Sequence, residues 1–580
     1  MGTVDKKDID NKWTYRLYIT LIVLRLGTAP FLPGYIHPDE FFQGGQELWF
    51  GCPPTIPWEF EPRHALRSVV PPAILTRFPI YAYSLARGIS PDSLSGWEIL
   101  ILPRVFCALL SLLCVDRTVW LLSGLDKKSK SSVPAPSLAL ASAWPVWAML
   151  SRPFSNSMET CILALLFRVI FLMKPGIVQS MVIGALVAFG FFTRFTFVFF
   201  ALPIGVWHLW SIFTQKERTT CSKGFSIILT IISFSACCTG IVLADSVFYG
   251  KTNYGVGDSH LVVTPWNAFE YNSKTDNLKD HGIHPRWTHS VVNMLLLFGP
   301  LTVVSYLSMV SYGESRSKAE GTTAPALSQV RTLYKSTIIS GLFFLSIAPH
   351  QEPRFLLPLV FPVILLGSDK ILESRFRVSL WISFNIILLV LFGGLHQSGV
   401  IPTLLSLSQT LGVEKLTSPS AIIFSHTYMP PTFLARVMSS RALGVCDITD
   451  DSVESHGLCN AYDAPCTGIP IIDLAGQDFD SLGRRLGEIL NCSNNSSSDQ
   501  SSHLSAILVV PTLVSEAHDW QFGDHCTIPG FRCSEVDRYW PHLTTEDIPP
   551  FDGSVTAFVS SLSLHVYDVR CHGNDFPPKT

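Results

Sequence analysis

The apolar segment YRLYITLIVLRLGTAPFL, residues 15–32, is followed at once by a loop that contains His37-Pro38-Asp39-Glu40. About 20 mostly apolar residues cross a bilayer as a helix, and this segment is close to that length. Residues 1–12 before it are polar, and it lacks a small-residue cleavage site, so we expect a retained anchor rather than a signal peptide. A helix here would hold the two acids at a bilayer surface, where lipid and water meet.

Composition supports a membrane protein for the chain as a whole. The chain has 580 residues, of which 48% are hydrophobic and only 15% are charged, and its mean hydropathy is +0.33. That is more apolar surface than an ordinary soluble fold can bury. The formal net charge is −3, and without a dense Lys/Arg patch we expect no nucleic-acid partner.

The hydropathy pattern predicts a polytopic α-helical membrane protein with about eleven transmembrane helices. The predicted segments are residues 15–32, 98–123, 134–150, 158–173, 177–192, 195–212, 225–245, 289–311, 333–348, 354–368 and 378–396. The two segments that flank Thr193-Arg194 could also form one long kinked helix.

The positive charges indicate an orientation. Lys and Arg residues cluster in alternate loops, near residues 6–12, 127–130, 216–223, 316–331 and 370–377. The positive-inside rule makes those loops and the N-terminus cytosolic. The opposite loops, including residues 33–97, then face the lumen, together with everything after residue 397.

The C-terminal part, residues 401–580, reads as a separate lumenal domain after a membrane module of residues 1–400. Short apolar runs such as Ala421–Phe424, Ile471–Leu474 and Ala506–Val510 alternate with helical and Gly/Pro-rich stretches, which predicts an α/β domain. Sequons predict glycosylation at Asn491, Asn494 and Asn495. Seven of the 14 cysteines lie here, which is typical of an oxidising compartment: Cys446, Cys459, Cys466, Cys492, Cys526, Cys533 and Cys571.

The acidic motif in the first lumenal loop has two interpretations. Adjacent carboxylates at Asp39 and Glu40, beside His37, suit acid–base chemistry on a membrane-borne substrate. Asp39 also precedes the run Glu40 to Phe50, where it would cap a helix by accepting backbone N–H groups. The spacing favours neither interpretation.

The second candidate site is Pro349-His350-Gln351-Glu352-Pro353-Arg354, a charged stretch between two apolar segments. Polar groups at a membrane boundary are costly unless they pair or bind a ligand, and His350 with Arg354 would clamp a phosphate. In the simpler interpretation, Glu352 only neutralises Arg354 and the turn reverses the chain.

Further polar groups occur in other lumenal segments. Arg152 and Asn156 stand at the start of a predicted helix, and His284 and Arg286 stand just before another. Each pair would contact sugar hydroxyls or a lipid phosphate, or form part of an interfacial belt. Arg194 lies between two apolar runs, so we expect it to face a polar cavity or to reach the surface.

These motifs resemble those of the GT-C glycosyltransferases of family 22, endoplasmic-reticulum enzymes that use dolichyl phosphate mannose. The shared features are His37-Pro38-Asp39-Glu40, Arg152 with Phe154-Ser155-Asn156-Ser157, and His350-x-Glu352-x-Arg354-Phe355-Leu356. The resemblance extends from about residue 15 to residue 400 and fades in the C-terminal part. It implies a GT-C type transmembrane module.

The resemblance also implies an activity and roles. Mannose would pass from dolichyl phosphate mannose to the third mannose of a GPI-anchor precursor, in an α1,2 linkage and with inversion. Asp39 would be the base, supported by Glu40; His350, Arg354, Glu352 and Arg194 would bind the donor phosphate. His37, Arg152, Asn156, His284 and Arg286 are further candidates for substrate binding. Neither a metal nor another cofactor is implied.

Other interpretations of the sequence stay open. The first alternative is a member of the same family that extends another lipid-linked acceptor, such as an earlier GPI mannose or an N-glycan precursor. From another class, a transporter or lipid scramblase would line a pathway with Arg194 and the lumenal acids, although neither inverted repeats nor mid-span polar residues are evident. A non-enzymatic subunit would tolerate any change at Asp39.

Overall fold

The computed structural model describes most of the chain. The described residues are 6–51, 56–124, 133–214, 219–251, 261–279, 282–310, 324–411, 419–435, 443–444, 467–477, 479–490, 492, 505–512, 526–528, 531–545, 548, 551 and 553–571. They form two compact units. Unit 1 comprises residues 1–31, 58–79 and 103–389, and unit 2 comprises residues 32–57, 80–102 and 390–580.

Unit 1 is helical. Its helices are Lys6–Thr28, Ala29–Phe31, Trp58–Phe60, Val70–Pro72, Ala73–Arg77, Leu112–Asp116, Arg117–Ser123, Ala135–Ser142, Trp144–Ala148, Ser155–Leu172, Ile177–Thr193, Phe197–Thr214, Thr220–Lys251, Thr264–Ser273, Thr275–Lys279, His289–Asn293, Met294–Phe298, Pro300–Val310, Ala324–Ile347, Pro353–Leu359 and Val360–Leu372. Three helices run from one unit into the other: Phe78–Arg87, Gly96–Ser111 and Arg375–Val390.

Helices occupy all eleven predicted segments, so the expectation of a polytopic α-helical membrane protein is confirmed. Within the described residues, six helices are long and apolar enough to cross a membrane by length and composition: Gly96–Ser123, Ser155–Leu172, Phe197–Thr214, Thr220–Gly250, Pro353–Leu372 and Arg375–Leu395. Four shorter apolar helices accompany them: Ile177–Thr193, His289–Phe298, Pro300–Val310 and Val400–Gln409.

Several predicted spans differ in detail from the observed helices. The segment 134–150 is broken at Ala143, where the backbone is extended. The segment 289–311 is broken at Gly299, whose φ is 48° and where a Cβ atom would meet the ring of Phe384 at 2.7 Å. The continuous helical stretch Val70–Arg87 was not predicted as a helix, because its prolines and arginines interrupt the apolar run.

The polypeptide around Arg194 forms two helices rather than one kinked helix. The first ends at Thr193, Arg194 has extended φ and ψ of −155° and 133°, and the next helix begins at Phe197. Because Arg194 lies between the two helices, its side chain is not part of the apolar face of either helix and can contact polar partners.

Unit 2 is built around a six-stranded sheet. Its strands are β1 (Ala421–Phe424), β4 (Ile471–Asp473), β5 (Ser505–Pro511), β6 (Cys526–Ile528), β7 (Phe531–Tyr539) and β8 (Leu564–Cys571), and β2 (Leu443–Gly444) pairs with β3 (Thr467–Gly468) separately. The order in the large sheet is β4-β1-β5-β8-β7-β6. Strands β4, β1 and β5 are parallel, with Phe424 opposite Asp473 on one side and Val509 on the other; the remaining pairs are antiparallel.

Both faces of this sheet are covered. Helix Phe479–Ile489 packs Leu482 and Leu486 on one face, and this spacing of four residues places them on one side of the helix. The other face packs against helix Val400–Leu411 and against Tyr35 and Phe41 of the first loop. The unit also contains the helices Pro38–Glu40, Gln46–Phe50, Pro91–Ser93, Leu391–Leu395, Thr432–Ala435 and Val555–Ser561. The expected α/β domain is therefore present.

A close backbone approach at Gly34 holds the first loop in unit 2. Gly34 N donates to the Gly393 carbonyl oxygen at 2.8 Å, and a Cβ atom at Gly34 would lie 2.2 Å from the carbonyl oxygen of Phe392. We expect Gly34→Ala to destabilise the protein by about 1–3 kcal/mol, as overpacking typically does. Thermal unfolding in detergent measures it, with Gly394→Ala as control because a Cβ there meets nothing within 4 Å. Equal unfolding temperatures for both variants would contradict the packing.

The C-terminal part contains a disulfide. Cys492 and Cys571 form a disulfide across a sequence separation of 79 residues, as expected for an oxidising compartment. The sequons at Asn491, Asn494 and Asn495 lie outside the described residues, as do Cys446, Cys459 and Cys466.

Candidate active site

The acidic motif of unit 2 begins a short 3₁₀ helix, Pro38–Glu40, and its cap is a histidine. His37 Nδ1 accepts a hydrogen bond from the backbone N–H of Asp39 at 3.2 Å. The interpretation in which Asp39 caps a helix from Glu40 to Phe50 is wrong, because a turn follows Glu40 and the α-helix begins only at Gln46, after Gly45 with φ of 87°. Asp39 thus lies in the first helical turn, and His37 supplies the capping group that the sequence suggested for Asp39.

The two acids of the motif differ in accessibility. Glu40 is fully buried, whereas the side chain of Asp39 is 17% exposed, and its Oδ1 lies 3.6 Å from His37 Nδ1. A reacting group must touch its substrate, so Asp39 is the acid of this pair that is placed for proton transfer. Burial leaves Glu40 suited to a supporting role.

A third acid of the same loop, Glu47, has a structural task that the sequence did not reveal. Its carboxylate is buried and accepts hydrogen bonds from Thr432 Oγ1 at 2.6 Å and from the backbone N–H of Phe433 at 3.2 Å. These contacts cap helix Thr432–Ala435. The available signal was a glutamate directly before the apolar run Leu48-Trp49-Phe50.

The basic residues of unit 1 assemble around the ring of Phe355. The guanidinium carbon of Arg194 lies 4.8 Å from the ring centroid and that of Arg354 lies 5.3 Å from it. The His350 and Phe355 ring centroids are 5.6 Å apart. Aromatic faces attract cations, so Phe355 brings Arg194, which is distant in the sequence, to the neighbouring His350 and Arg354. It was part of the matched motif but was not among the predicted site residues.

Glu352 joins two members of this cluster. Its Oε1 lies 2.7 Å from His350 Nε2, and its Oε2 accepts a hydrogen bond from Arg354 Nε. Burial lowers the pKa of His350, but the hydrogen bond and charge of Glu352, together with the Gly282 carbonyl, outweigh it and raise that pKa above 6.5. Glu352 therefore both neutralises Arg354, as the simpler interpretation held, and favours the charged form of His350.

Arg194 contacts a second set of polar groups at the start of helix Ser155–Leu172. Its Nη1 donates to Ser155 Oγ at 3.1 Å, and its Nε lies 3.5 Å from Glu159 Oε2. Asn156, which is fully buried, donates from Nδ2 to the same Glu159 oxygen at 2.9 Å. The expectation of a polar environment for Arg194 is met. Arg152, which precedes this helix in the sequence, is completely buried.

His284 and Arg286 occupy different surroundings. His284 lies beside His350. The backbone N–H of His284 donates to the Pro349 carbonyl, and the His284 and His350 ring centroids are 6.0 Å apart. Arg286 instead lines an open cavity of about 530 Å³, whose other walls are Ser290, Leu342, Phe343, Ser346 and Ile347. Exposed fractions of 62% for Phe343 and 58% for Ile347 make this cavity largely apolar and accessible.

The structure thus brings together Arg194, His284, His350, Glu352 and Arg354 in unit 1, and His37, Asp39 and Glu40 in unit 2. Among the described residues, no group of three or more His, Cys, Asp or Glu side chains has an arrangement that could hold a metal ion.

The sequence matches the model of the Alg9-like mannosyltransferase family over residues 16–434. This range covers most of the chain and includes both the acidic motif and the basic cluster. The chain belongs to this family. It is a mannosyltransferase, so the transporter, scramblase and non-enzymatic interpretations are set aside.

Several relatives of this mannosyltransferase are named as GPI mannosyltransferases. GPI mannosyltransferase 4 of Schizosaccharomyces pombe is 30% identical over 445 residues, which cover 72% of this chain and 75% of the yeast protein. The Saccharomyces cerevisiae protein of that name is 31% identical, with coverage of 76% and 80%. Human GPI alpha-1,2-mannosyltransferase 4 is 29% identical and covers 98% of this chain and 96% of its own length.

Among solved structures, ArnT from Cupriavidus metallidurans bound to undecaprenyl phosphate aligns with a TM-score of 0.48 and 10% sequence identity. The alignment covers 98% of this chain and all of that chain.

Proposed function

We propose that this mannosyltransferase transfers mannose from dolichyl phosphate mannose to the third mannose of a GPI-anchor precursor, forming an α1,2 linkage. The observation that carries the proposal is the basic cluster around Phe355, which suits a lipid-phosphate leaving group. The shared name of the relatives at 29–31% identity supports the acceptor.

In the proposed reaction, the 2-hydroxyl oxygen of the acceptor mannose attacks C1 of the donor mannose. The C1–O2 bond forms as the bond between C1 and the phosphate oxygen breaks, and dolichyl phosphate leaves with the electron pair. Asp39 accepts the hydroxyl proton, since its carboxylate is the exposed one of the pair. In-line displacement converts the β-linked donor into an α-linked product.

Charge on the leaving phosphate grows as the bond breaks, and fixed cationic donors placed beforehand lower the barrier most. Arg354, Arg194 and His350 supply such donors, and the contacts with Phe355 and Glu352 hold them in place. Glu352 acts as a positioning residue for this cluster. The carboxylates of Glu352 and Glu159 balance the two guanidinium groups, so the cluster is net positive when His350 is protonated.

Unit 1 also contains an apolar cavity that suits the lipid part of the donor. The cavity beneath Arg286 combines one guanidinium with the apolar side chains of Leu342, Phe343 and Ile347. An isoprenoid chain is apolar throughout, and within the membrane it would pack against these side chains by van der Waals contact. This cavity supports a lipid-linked donor over a water-soluble nucleotide sugar.

In this proposal, residues 1–400 form a GT-C type membrane module of the endoplasmic reticulum, with a cytosolic N-terminus and the loop 33–97 in the lumen. Residues 401–580 form a lumenal, glycosylated domain. The disulfide between Cys492 and Cys571 supports that side of the membrane. Mapping glycans at residues 491–497 tests the orientation, and a cytosolic C-terminal domain would contradict it.

The choice of donor gives a direct test of this function. Purified full-length protein should transfer labelled mannose from dolichyl phosphate mannose and not from GDP-mannose, and an α1,2-specific mannosidase should release the added residue. Transfer from GDP-mannose, or a product resistant to that mannosidase, would overturn the proposal.

The binding of the donor should depend on pH through His350. The raised pKa means that His350 is charged below that pKa and loses its charge as pH rises through it. The charged and titratable groups around it are Glu352, Arg354, His284 and His289. We expect the donor KM to rise as pH increases through this range and the rise to be smaller in His350→Gln. A steep rise that persists in the variant would exclude His350 as its source.

A further inference from the structure

Left-handed backbone conformations concentrate at one place in unit 2. Among the described residues, four residues other than glycine have positive φ: Ala65, Gln397, His426 and Ala475. Three of these are linked around the end of strand β1, because His426 N donates to the Ala475 carbonyl at 2.6 Å and Tyr428 N donates to Gln397 Oε1 at 3.4 Å. Such conformations cost of order 1 kcal/mol or more each, and they cluster at ligand sites.

This place is also where the topology of the sheet favours a ligand. The parallel strands lie in the order β4-β1-β5. The chain therefore passes from β1 to β4 on one side of β1 and then crosses to β5 on the other side. In open α/β sheets, ligands bind outside the carboxyl ends of the strands where the winding changes direction. Here that point lies after β1 and β5, beside Ser425, His426 and Thr512.

The side chains at these strand ends are of the kind that bind sugar hydroxyls. Asp473 ends β4, Ser425 and His426 follow β1, and Gln477 lies in the turn after β4. Residues 35–40, 395–398, 425–429 and 473–477 include neither Lys nor Arg. A phosphate would call for those cations, whereas carboxylate, amide and hydroxyl groups hydrogen-bond to a neutral polyol.

Gln477 and Asp473 have polar groups that could hydrogen-bond to a ligand. Gln477 Oε1 is buried and, among the described residues, has no hydrogen-bond partner, although a buried acceptor left unpaired costs about 1–3 kcal/mol. Asp473 accepts from the backbone N–H of Ala475 at 2.9 Å. Burial raises the pKa of Asp473 to about 6, despite that hydrogen bond.

The strand ends are joined directly to the acidic motif within unit 2. The Tyr35 hydroxyl donates to the Met429 carbonyl at 2.8 Å, and the Tyr35 ring meets the Tyr428 ring edge-on at 5.5 Å. The His37 and Tyr428 ring centroids are 6.3 Å apart. A sugar bound at the strand ends would therefore lie next to the loop that presents Asp39.

We propose that the carboxyl ends of β4 and β1 form a saccharide subsite, built by His426, Tyr428, Asp473 and Gln477, that holds the neutral mannose chain of the acceptor beside Asp39. This inference rests on the proposed function and assigns acceptor recognition to the C-terminal part of the chain. Tyr428 offers an aromatic face for a sugar ring, and Asp473 and Gln477 offer acceptors for its hydroxyls.

Kinetics of full-length variants test the subsite. With a trimannosyl GPI precursor as acceptor, Asp473→Asn and Gln477→Leu should each raise the acceptor KM about tenfold or more and leave the donor KM unchanged. Glu488→Gln, an exposed carboxylate on helix Phe479–Ile489, is the control and should change neither. Wild-type transfer with an unchanged acceptor KM in both variants would overturn the subsite and leave the proposed function intact.

Stability separates this role from a structural one. Gln477→Leu removes a buried, unsatisfied oxygen, so we expect an equal or higher unfolding temperature together with weaker acceptor binding. A structural role predicts that both fall together.

A binding experiment keeps the subsite testable if the protein transfers no mannose at all. A synthetic α-linked trimannoside should then still bind to wild type, as seen by ligand-observed NMR, and bind more weakly to Gln477→Leu. Equal binding to both proteins, or binding to neither, would refute the subsite.

Discussion

Replacement of Asp39 by Asn is expected to lower the rate of mannose transfer by about 100- to 10,000-fold, which is the usual contribution of a positioned general base. Asn has nearly the same shape but cannot accept the proton of the attacking hydroxyl. The Asp39 backbone N–H, which His37 caps, is unchanged by the substitution, so the loop should keep its conformation. The measurement is initial transfer rate in membranes that contain equal amounts of each protein.

The matched control for this variant is Asp92→Asn, an exposed acid in the same unit. It should keep full activity. Glu40→Gln should reduce the rate less than Asp39→Asn, because Glu40 is fully buried and out of reach of a substrate. Full activity in Asp39→Asn, or a larger loss in Glu40→Gln, would refute the assignment of Asp39 as the base.

Replacement of Arg354 by Gln is expected to lower kcat by about 100- to 1,000-fold, as losses of a transition-state charge contact do. Arg354 is only 6% exposed, so its charge acts where water screens it little. Glu352 contacts two basic side chains, His350 and Arg354, and the variant keeps only His350. The rate of transfer should therefore fall, although the variant still inserts in the membrane.

Two variants separate charge from packing at this position. Arg354→Lys should recover part of the activity, since it restores the charge without the planar guanidinium that stacks on Phe355. Arg377→Gln, which removes an exposed arginine paired with Glu373, should have no effect. Equal activities of Arg354→Gln and Arg377→Gln would refute a role for Arg354 in stabilising the leaving phosphate.

The elements that the sequence predicted well are those governed by local hydrophobic pattern. Strand β1 begins and ends at the predicted residues, Ala421 and Phe424, and β4 ends one residue earlier than predicted. Buried parallel strands are apolar on both faces and so stand out as continuous runs. Strand β7 alternates buried and exposed residues irregularly, and for that reason it was not predicted.

The parts that escaped prediction depend on contacts between distant segments. The cation cluster needs Phe355 to meet Arg194, 161 positions earlier in the chain, and no local pattern indicates that contact. The cap by Glu47 likewise depends on Thr432 and Phe433. The motif itself was visible, but the division of labour between Asp39 and Glu40 required their burial to be known.

The most direct test of the whole account is the choice of acceptor by the purified full-length protein. With dolichyl phosphate mannose as donor, the acceptors to compare are a trimannosyl GPI precursor, a dimannosyl GPI precursor and a lipid-linked N-glycan precursor. We predict that one mannose is added to the trimannosyl GPI precursor alone and that Asp39→Asn lowers this transfer by about 100-fold or more. Transfer to either of the other acceptors instead, or an undiminished rate in Asp39→Asn, would contradict this prediction.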